Sequence, residues 1–323
     1  MRILSQYDME QALSLEQIMD QVERAYRLDR QGQAVTPPRP QVEQGGRSIL
    51  YMPCFTGNTF GTKILTVVPE NARRGLPTID GLMLLNDGET GRPTALLEGK
   101  ALTALRTGAV GGVALRHLAD PGSQVLGVAG TGTQGFYQAL FACTVLPIRQ
   151  VLFYNAHGKD LTDFIDRFCD TLDRPVECYA CASADELARQ SQVLITATPA
   201  CQPLFSNDPT LFQGKCCLAI GSYQPEMREY PDALWKVVST AYVDLLYACQ
   251  ESGELSQPLA QGLLRPEQVV PMGQLLEEGR DLAPSARSAT FFKSVGMAAF
   301  DLVVAQAIAE QAARRGLGQE IIL

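Results

Sequence analysis

The chain has 323 residues, enough for two domains and a large core, and its 46% hydrophobic and 19% charged content is that of a folded protein, not a disordered one. A formal net charge of -8 speaks against nucleic acid or an anionic membrane as partner, because phosphate-rich surfaces attract a basic face. The sequence lacks the run of about 18 apolar residues that a membrane span needs, and its opening Met-Arg-Ile-Leu-Ser-Gln-Tyr-Asp lacks the apolar stretch of an export signal. A cytoplasmic protein with small-molecule partners is expected.

Ser14-Leu-Glu-Gln17 forms a capping box before Ile18, Val22, Ala25 and Tyr26, which recur at helical spacing and predict an amphipathic helix at the start of the chain. Pro37, Pro38 and Pro40 end that segment. Strands are predicted over 48–52, 61–68, 79–86 and 94–98, with Asp87-Gly88 and Gly91 marking a hairpin, so this part reads as an antiparallel sheet. A helix rich in small residues over 100–119 leads to Asp120-Pro121-Gly122, a domain boundary. Beyond it, strands over 124–130, 151–155, 175–180, 192–198, 215–221 and 237–244 alternate with helices, one of them capped by Ser183-Ala-Asp-Glu186. That alternation predicts an α/β fold with a doubly wound parallel sheet. The last helix, 296–314, has an apolar face of Met297, Phe300, Val303, Val304, Ala307 and Ile308 and is expected to return to the first domain. The predicted domains are therefore 1–119 with 296–323, and 120–295.

Gln124-Val-Leu-Gly-Val-Ala-Gly130-Thr-Gly132-Thr-Gln-Gly135 is an apolar strand that breaks into G-x-G-x-x-G and continues as a predicted helix over 133–146. This layout binds dinucleotides on a Rossmann-type sheet. Gly130 permits the turn, Gly132 lets the backbone approach a pyrophosphate, Gly135 lets the helix pack against the strand, and the helix N-terminus offers N–H groups to phosphate. Thr131, Thr133 and Gln134 complete the loop, while Thr196 and Thr198, before Pro199, end a strand where cofactor contacts fall. The second strand ends Tyr154-Asn155-Ala-His157-Gly-Lys159, without the acid that usually takes a ribose 2′-hydroxyl. Asn155, His157 and Lys159 suit a 2′-phosphate, so NADPH is favoured and NADH stays open. Nine scattered cysteines read as free thiols; Cys178-Tyr-Ala-Cys181 has no second pair or histidine cluster, and His117 and His157 have no partner, so no metal site is predicted.

Oxidoreduction of a carboxylate substrate needs a fixed cation. Arg39 lies between prolines, Arg106 interrupts the small-residue helix, and Lys63 sits in an otherwise apolar strand, where a buried lysine needs a partner or a ligand. At these positions the chain resembles the ornithine cyclodeaminase/mu-crystallin family over nearly its whole length. The resemblance rests on Arg39, Met52-Pro53, Gly61-Thr-Lys63, Pro69-Glu-Asn71, Arg74-Gly-Leu-Pro-Thr78, Leu85-Asn-Asp-Gly-Glu-Thr-Gly91, Ala104-Leu-Arg106-Thr-Gly-Ala109, the glycine loop, Ala197-Thr-Pro199, Ala219-Ile-Gly221 and Phe292-Lys-Ser-Val-Gly296. It implies a homodimer whose first domain, with the last helix, holds the substrate. It further implies that Arg39, Lys63 and Arg106 bind the substrate carboxylate beside Met52 and Ser294, and that Thr78, Thr107, Gly221, Ser222, Lys293, Ser294 and Gly296 contact the cofactor.

Departures from the family pattern point to the reaction. Ornithine cyclodeaminases look to carry acids where this chain has Leu50 and Tyr223, and a substrate's second amine would find no carboxylate there. The run Gly221-Ser-Tyr-Gln-Pro-Glu-Met-Arg-Glu229 instead resembles that of ketimine and delta-1-pyrroline-2-carboxylate reductases. The resemblance thus implies reduction of a cyclic C=N bond beside a carboxylate: delta-1-pyrroline-2-carboxylate to proline, and delta-1-piperideine-2-carboxylate to pipecolate. Lys63 would relay a proton to the nitrogen and Tyr223 would lie near the nicotinamide. Reductive amination of a 2-oxo acid, ornithine cyclodeamination, and non-catalytic binding of NADPH and a small ligand, as in mu-crystallin, stay open as alternatives.

Overall fold

A computed structural model describes residues 1–37, 40–57, 59–278 and 288–322. The chain opens on a short strand, β1 (Arg2–Leu4), and a first helix, α1 (Gln6–Ala12), before the predicted amphipathic helix, α2 (Leu15–Arg30). Each helix starts on a reciprocal capping box, Ser5 with Asp8 and Ser14 with Gln17, which satisfies N–H groups that a helix end leaves unpaired. The predicted opening helix is thus the second one. The short apolar run Ile3-Leu4 carries too little periodicity to announce the strand before it.

Next come β2 (Ala34–Val35), β3 (Gln41–Gln44), β4 (Arg47–Thr56), β5 (Thr59–Val67), β6 (Ile79–Asp87) and β7 (Pro93–Glu98). β4 to β7 form an antiparallel meander in which Met52 stands opposite Lys63 and Lys63 opposite Met83. Residues on one face, including Met52, Cys54, Lys63, Met83 and Leu85, are buried, while Tyr51, Phe55 and Leu82 on the other are exposed, as strand alternation requires. β1 adds to β7 in parallel, so the sheet is mixed rather than purely antiparallel; the intervening helices and strands supply the long crossover that a parallel pair needs.

The helix α3 (Gly99–Leu118) follows. The chain divides into two units, residues 1–106 with 297–323, and 107–296, so the break falls inside this helix rather than at the predicted Asp120-Pro121-Gly122. The cause is packing: the second half of α3 belongs with the core of the second unit. A methyl group on Gly108 would lie 2.5 Å from the ring of Phe141, one on Gly111 would overlap the Gln138 amide, and Gln138 Nε2 donates to the Thr107 carbonyl at 2.7 Å.

The second unit runs β8 (Val125–Ala129), α4 (Thr133–Val145), β9 (Gln150–Tyr154), α5 (Thr162–Thr171), β10 (Glu177–Ala180), α6 (Ala184–Gln190), β11 (Val193–Thr196), β12 (Cys216–Ala219), β13 (Val238–Val243), α7 (Ala248–Glu251), α8 (Gly253–Ala260), β14 (Val269–Pro271), α9 (Met272–Glu278) and β15 (Ala289–Lys293). Its sheet has the order β10-β9-β8-β11-β12-β15-β13-β14, with every pair parallel. The first six strands in this spatial order follow the dinucleotide-binding pattern, and the direction reverses between β8 and β11, where such sheets take their ligands. β11 and β12 are buried throughout and read as continuous apolar runs, as doubly covered strands do. β15 was not predicted, and it separates β12 from β13, the pair that sequence order would make neighbours. The chain closes with α10 (Ala298–Arg315), which packs on α2 in the first unit through Tyr26 and Phe300 (ring centroids 4.7 Å apart), and with β16 (Gln319–Glu320) on the free edge of β1.

Candidate active site

The glycine loop has the backbone that its sequence demands. Gly130 has φ +108°, and a methyl group there would sit 2.5 Å from the Ala197 carbonyl. A methyl group on Gly135 would overlap the Gly130 carbonyl, whereas one on Gly132 would meet no atom within 4 Å, so the loop is open at the position expected to face a pyrophosphate. Gly132 caps α4 without a side-chain hydrogen bond, which leaves the first N–H groups of the helix to an anion. Thr131 Oγ1 accepts from Asn155 Nδ2 at 2.6 Å, and Asn155 Oδ1 accepts from the His157 N–H at 2.9 Å, so Asn155 ties the loop to the turn after β9. Thr133, His157 and Lys159 are exposed. These residues fit a dinucleotide: a cradle without Cβ, a helix N-terminus aimed at phosphate, and no acid at the end of β9.

At the carboxyl ends of β11, β12 and β15 lies a group of buried acids that sequence reading passed over. Glu229 Oε1 accepts from the Thr198 N–H (2.7 Å) and hydroxyl (2.8 Å), while Oε2 accepts from the N–H groups of Gly221 (2.9 Å) and Ser222 (3.2 Å). Glu254 in turn accepts from the N–H groups of Glu229 (2.7 Å) and Tyr230 (3.0 Å) and from the Ser222 hydroxyl (3.3 Å). Burial, reinforced by the neighbouring Glu229 charge, pushes the Glu254 carboxyl up to about 7. Lys293 is fully buried and donates to the Ala219 carbonyl at 3.0 Å; burial lowers its pKa while Glu229, Glu254, Asp244 and Glu251 pull it back. Thr196 is likewise buried, its hydroxyl on the Leu218 carbonyl. Asp244 accepts from the Ser294 hydroxyl at 2.8 Å and from the N–H groups of Val295 and Gly296, fixing the turn after β15 where Gly296 has φ +76°. Tyr223 is 53% exposed.

In the first unit, Lys63 is completely buried, and its partner is a protein carboxylate. Its Nζ donates to Asp301 Oδ1 at 2.7 Å and to the Thr103 hydroxyl at 3.2 Å. Arg106 Nε donates to the same Asp301 oxygen at 3.0 Å. Burial alone would raise the Asp301 carboxyl, but the two cations outweigh it and hold the group below the usual carboxylate range. Asp301 Oδ2 is buried with no hydrogen-bond partner, and among the described residues the terminal guanidinium nitrogens of Arg106 have none either. Asp301 was missed because Phe300-Asp301-Leu302 reads as an apolar helix face; the available signal was a lone acid in that face, matching the lone lysine in β5. Met52 is buried opposite Lys63, Thr78 sits exposed before β6, and Thr107 is buried in α3. Arg39 lies outside the described residues. Among the described residues no group of three or more His, Cys, Asp or Glu side chains could hold a metal, all nine cysteines are free, and no helix is long and apolar enough to cross a membrane.

Comparison with known proteins gives this geometry a lineage. Residues 1–316 match the model of the ornithine cyclodeaminase/mu-crystallin family. A delta(1)-pyrroline-2-carboxylate reductase of Bacillus cereus is 36% identical over 265 residues, covering 81% of this chain and 80% of the relative. The solved structure of Thermococcus litoralis delta(1)-pyrroline-2-carboxylate reductase with NADH and L-proline superposes with a TM-score of 0.91 at 30% identity, over 99% of this chain and all of that one. An archaeal alanine dehydrogenase dimer with bound NAD gives 0.89 at 31% identity, over 100% of this chain and 99% of that one.

Proposed function

The chain belongs to the ornithine cyclodeaminase/mu-crystallin family, and from that premise we propose that it is an NAD(P)H-dependent imine reductase acting on cyclic ketimine carboxylates, delta-1-pyrroline-2-carboxylate to proline and delta-1-piperideine-2-carboxylate to pipecolate. The observation that carries this reading is Arg106: it is anchored at Nε by a buried carboxylate, with its terminal nitrogens left for a second, bidentate carboxylate. The resemblance to two pyrroline-2-carboxylate reductases supports the same substrate class.

The bound dinucleotide supplies the hydride. Arg106, with Arg39 and Lys63, holds the substrate carboxylate, which fixes the imine carbon and leaves the ring little freedom. Lys63 is the proton donor to the nitrogen, its ammonium oriented by Asp301 and Thr103. Tyr223, Ser222 and Ser294 border the reacting end of the cofactor. The absence of an acid at the end of β9, with Asn155, His157 and Lys159 in its place, supports NADPH as the preferred reductant, with NADH also used. The exposed Tyr51, Phe55 and Leu82 on the outer face of the first unit's sheet support a homodimer formed through that face. A cytoplasmic location completes the proposal.

The test is oxidation of NADPH, with an NADH control, followed by loss of the reduced-nicotinamide absorbance. Turnover with the cyclic imine alone establishes the reductase. Silence with the imine but turnover with pyruvate plus ammonia refutes it in favour of the alanine dehydrogenase reading that the archaeal relative raises. Silence in both leaves a binding protein. Release of ammonia from ornithine with NAD would refute the argument from Leu50 and Tyr223.

A further inference from the structure

Glu229 lies deep in the second unit, does not face solvent, and is not needed for the chemistry proposed above. Its four hydrogen bonds nevertheless divide evenly: one carboxylate oxygen holds the segment after β11 at Thr198, and the other holds the segment after β12 at Gly221 and Ser222. Gly221 has no side chain because none fits; a methyl group would overlap the Thr198 backbone and stand 2.7 Å from Glu229 Oε1. The carboxylate is itself immobilised, since the N–H groups of Glu229 and Tyr230 both donate to Glu254 and the Leu204 N–H donates to the Glu229 carbonyl at 2.9 Å. Lys293, also fully buried, donates to the Ala219 carbonyl at the end of β12, next to the segment that Glu229 holds.

The position of this clasp gives it a role. In a sheet of this order the pyrophosphate lies at the β8–α4 turn, and the ribose whose 2′-position is read lies at the end of β9. The other half of the dinucleotide then extends the opposite way, over the ends of β11 and β12. We propose that Glu229 is a positioning residue for the nicotinamide half of the cofactor, locking two strand-end segments into one fixed edge against which that half is laid. The proposal rests on the dinucleotide reading of this unit. Glutamine cannot replace this carboxylate, because its NH₂ group would face either the Thr198 donors or the two N–H groups of Gly221 and Ser222. One segment must let go.

The experiment compares wild type and Glu229→Gln for binding of NADH against ADP-ribose, and of NADPH against 2′-phospho-ADP-ribose, the second member of each pair lacking nicotinamide. Glu229→Gln is expected to weaken the nicotinamide-bearing ligands about tenfold while leaving the truncated ones within about twofold, and to lower kcat at saturating cofactor. Equal loss for both members of a pair, or no loss for either, overturns the proposal. If wild type binds no member of either pair, the dinucleotide reading fails instead. If Glu229→Gln does not fold, Glu254→Gln keeps the clasp and loosens only its support; it is expected to give a smaller loss of the same selectivity, and a loss without selectivity, or none, overturns the proposal.

Discussion

Replacing Asp301 by asparagine removes one negative charge and almost no volume, so its consequence is electrostatic. Lys63 is fully buried and Asp301 is 1% exposed, and a single oxygen of Asp301 takes both Lys63 at 2.7 Å and Arg106 at 3.0 Å. Breaking a buried pair by removing one partner costs about 3–5 kcal/mol, because the remaining charge is left uncompensated. A loss within that range is expected for Asp301→Asn at neutral pH. The pH dependence should change as well. In the wild type the depressed Asp301 carboxyl contributes stability that is present above the unfolded value of 3.8 and is lost as pH falls through the lower folded value. Asp301→Asn lacks this contribution, so its stability should fall less steeply than that of the wild type as pH drops below 3.8. The sole tryptophan, Trp235, is in the other unit, so unfolding should be followed by calorimetry and circular dichroism instead of tryptophan fluorescence. Lys63→Met combined with Asp301→Asn should recover about 2 kcal/mol of the summed single losses. A loss under about 1 kcal/mol for Asp301→Asn, or strict additivity of the pair, would refute the reasoning.

Gly132→Val should abolish dinucleotide binding with little change in Tm, because the new side chain meets no protein atom but fills the space before the helix N-terminus; normal binding by equilibrium titration would remove the loop from the site. Glu254, with its carboxyl raised from 4.5 to about 7, binds a proton in the folded state that it has lost in the unfolded one, so its contribution to stability should fall by about 3 kcal/mol as pH rises through that window. Glu254→Gln should flatten this slope in denaturant titrations; an unchanged slope would assign it to other groups. Phe55→Glu with Leu82→Glu, on the outer face of the first sheet, should halve the mass in sedimentation equilibrium without changing the circular dichroism; an unchanged mass would place the interface elsewhere.

Much of the fold was legible because its signals are local. The capping box at Ser14, the alternation in β4 to β6 and the glycine loop each lie within a dozen or so residues, and the structure keeps their spans to within a few residues. The strand β15 was not legible: Ala289-Thr-Phe-Phe-Lys293 is short, and nothing local says that it enters the sheet between β12 and β13. The site divides in the same way. Lys63 announced itself as a cation in an apolar strand, but its partner Asp301 is 238 residues away, and no periodicity links them. Glu229 stood in a run already singled out, yet its bonds to Thr198 and its support from Glu254 are tertiary and appear only in the folded sheet. Lys293 stood in a quoted motif, but its hydrogen bond to the Ala219 carbonyl on the neighbouring strand is likewise tertiary.

The late arrival of β15 has a consequence for the order in which the protein can be made. β12 and β13 are both complete well before residue 289 leaves the ribosome, yet each must leave an edge vacant for a strand not yet synthesised. The first unit waits even longer, since Lys63 stays without Asp301 until α10 emerges. The second unit can therefore close ahead of the first, and until synthesis is nearly over a nascent chain carries an unpaired sheet edge and, in β5, a lysine without its carboxylate.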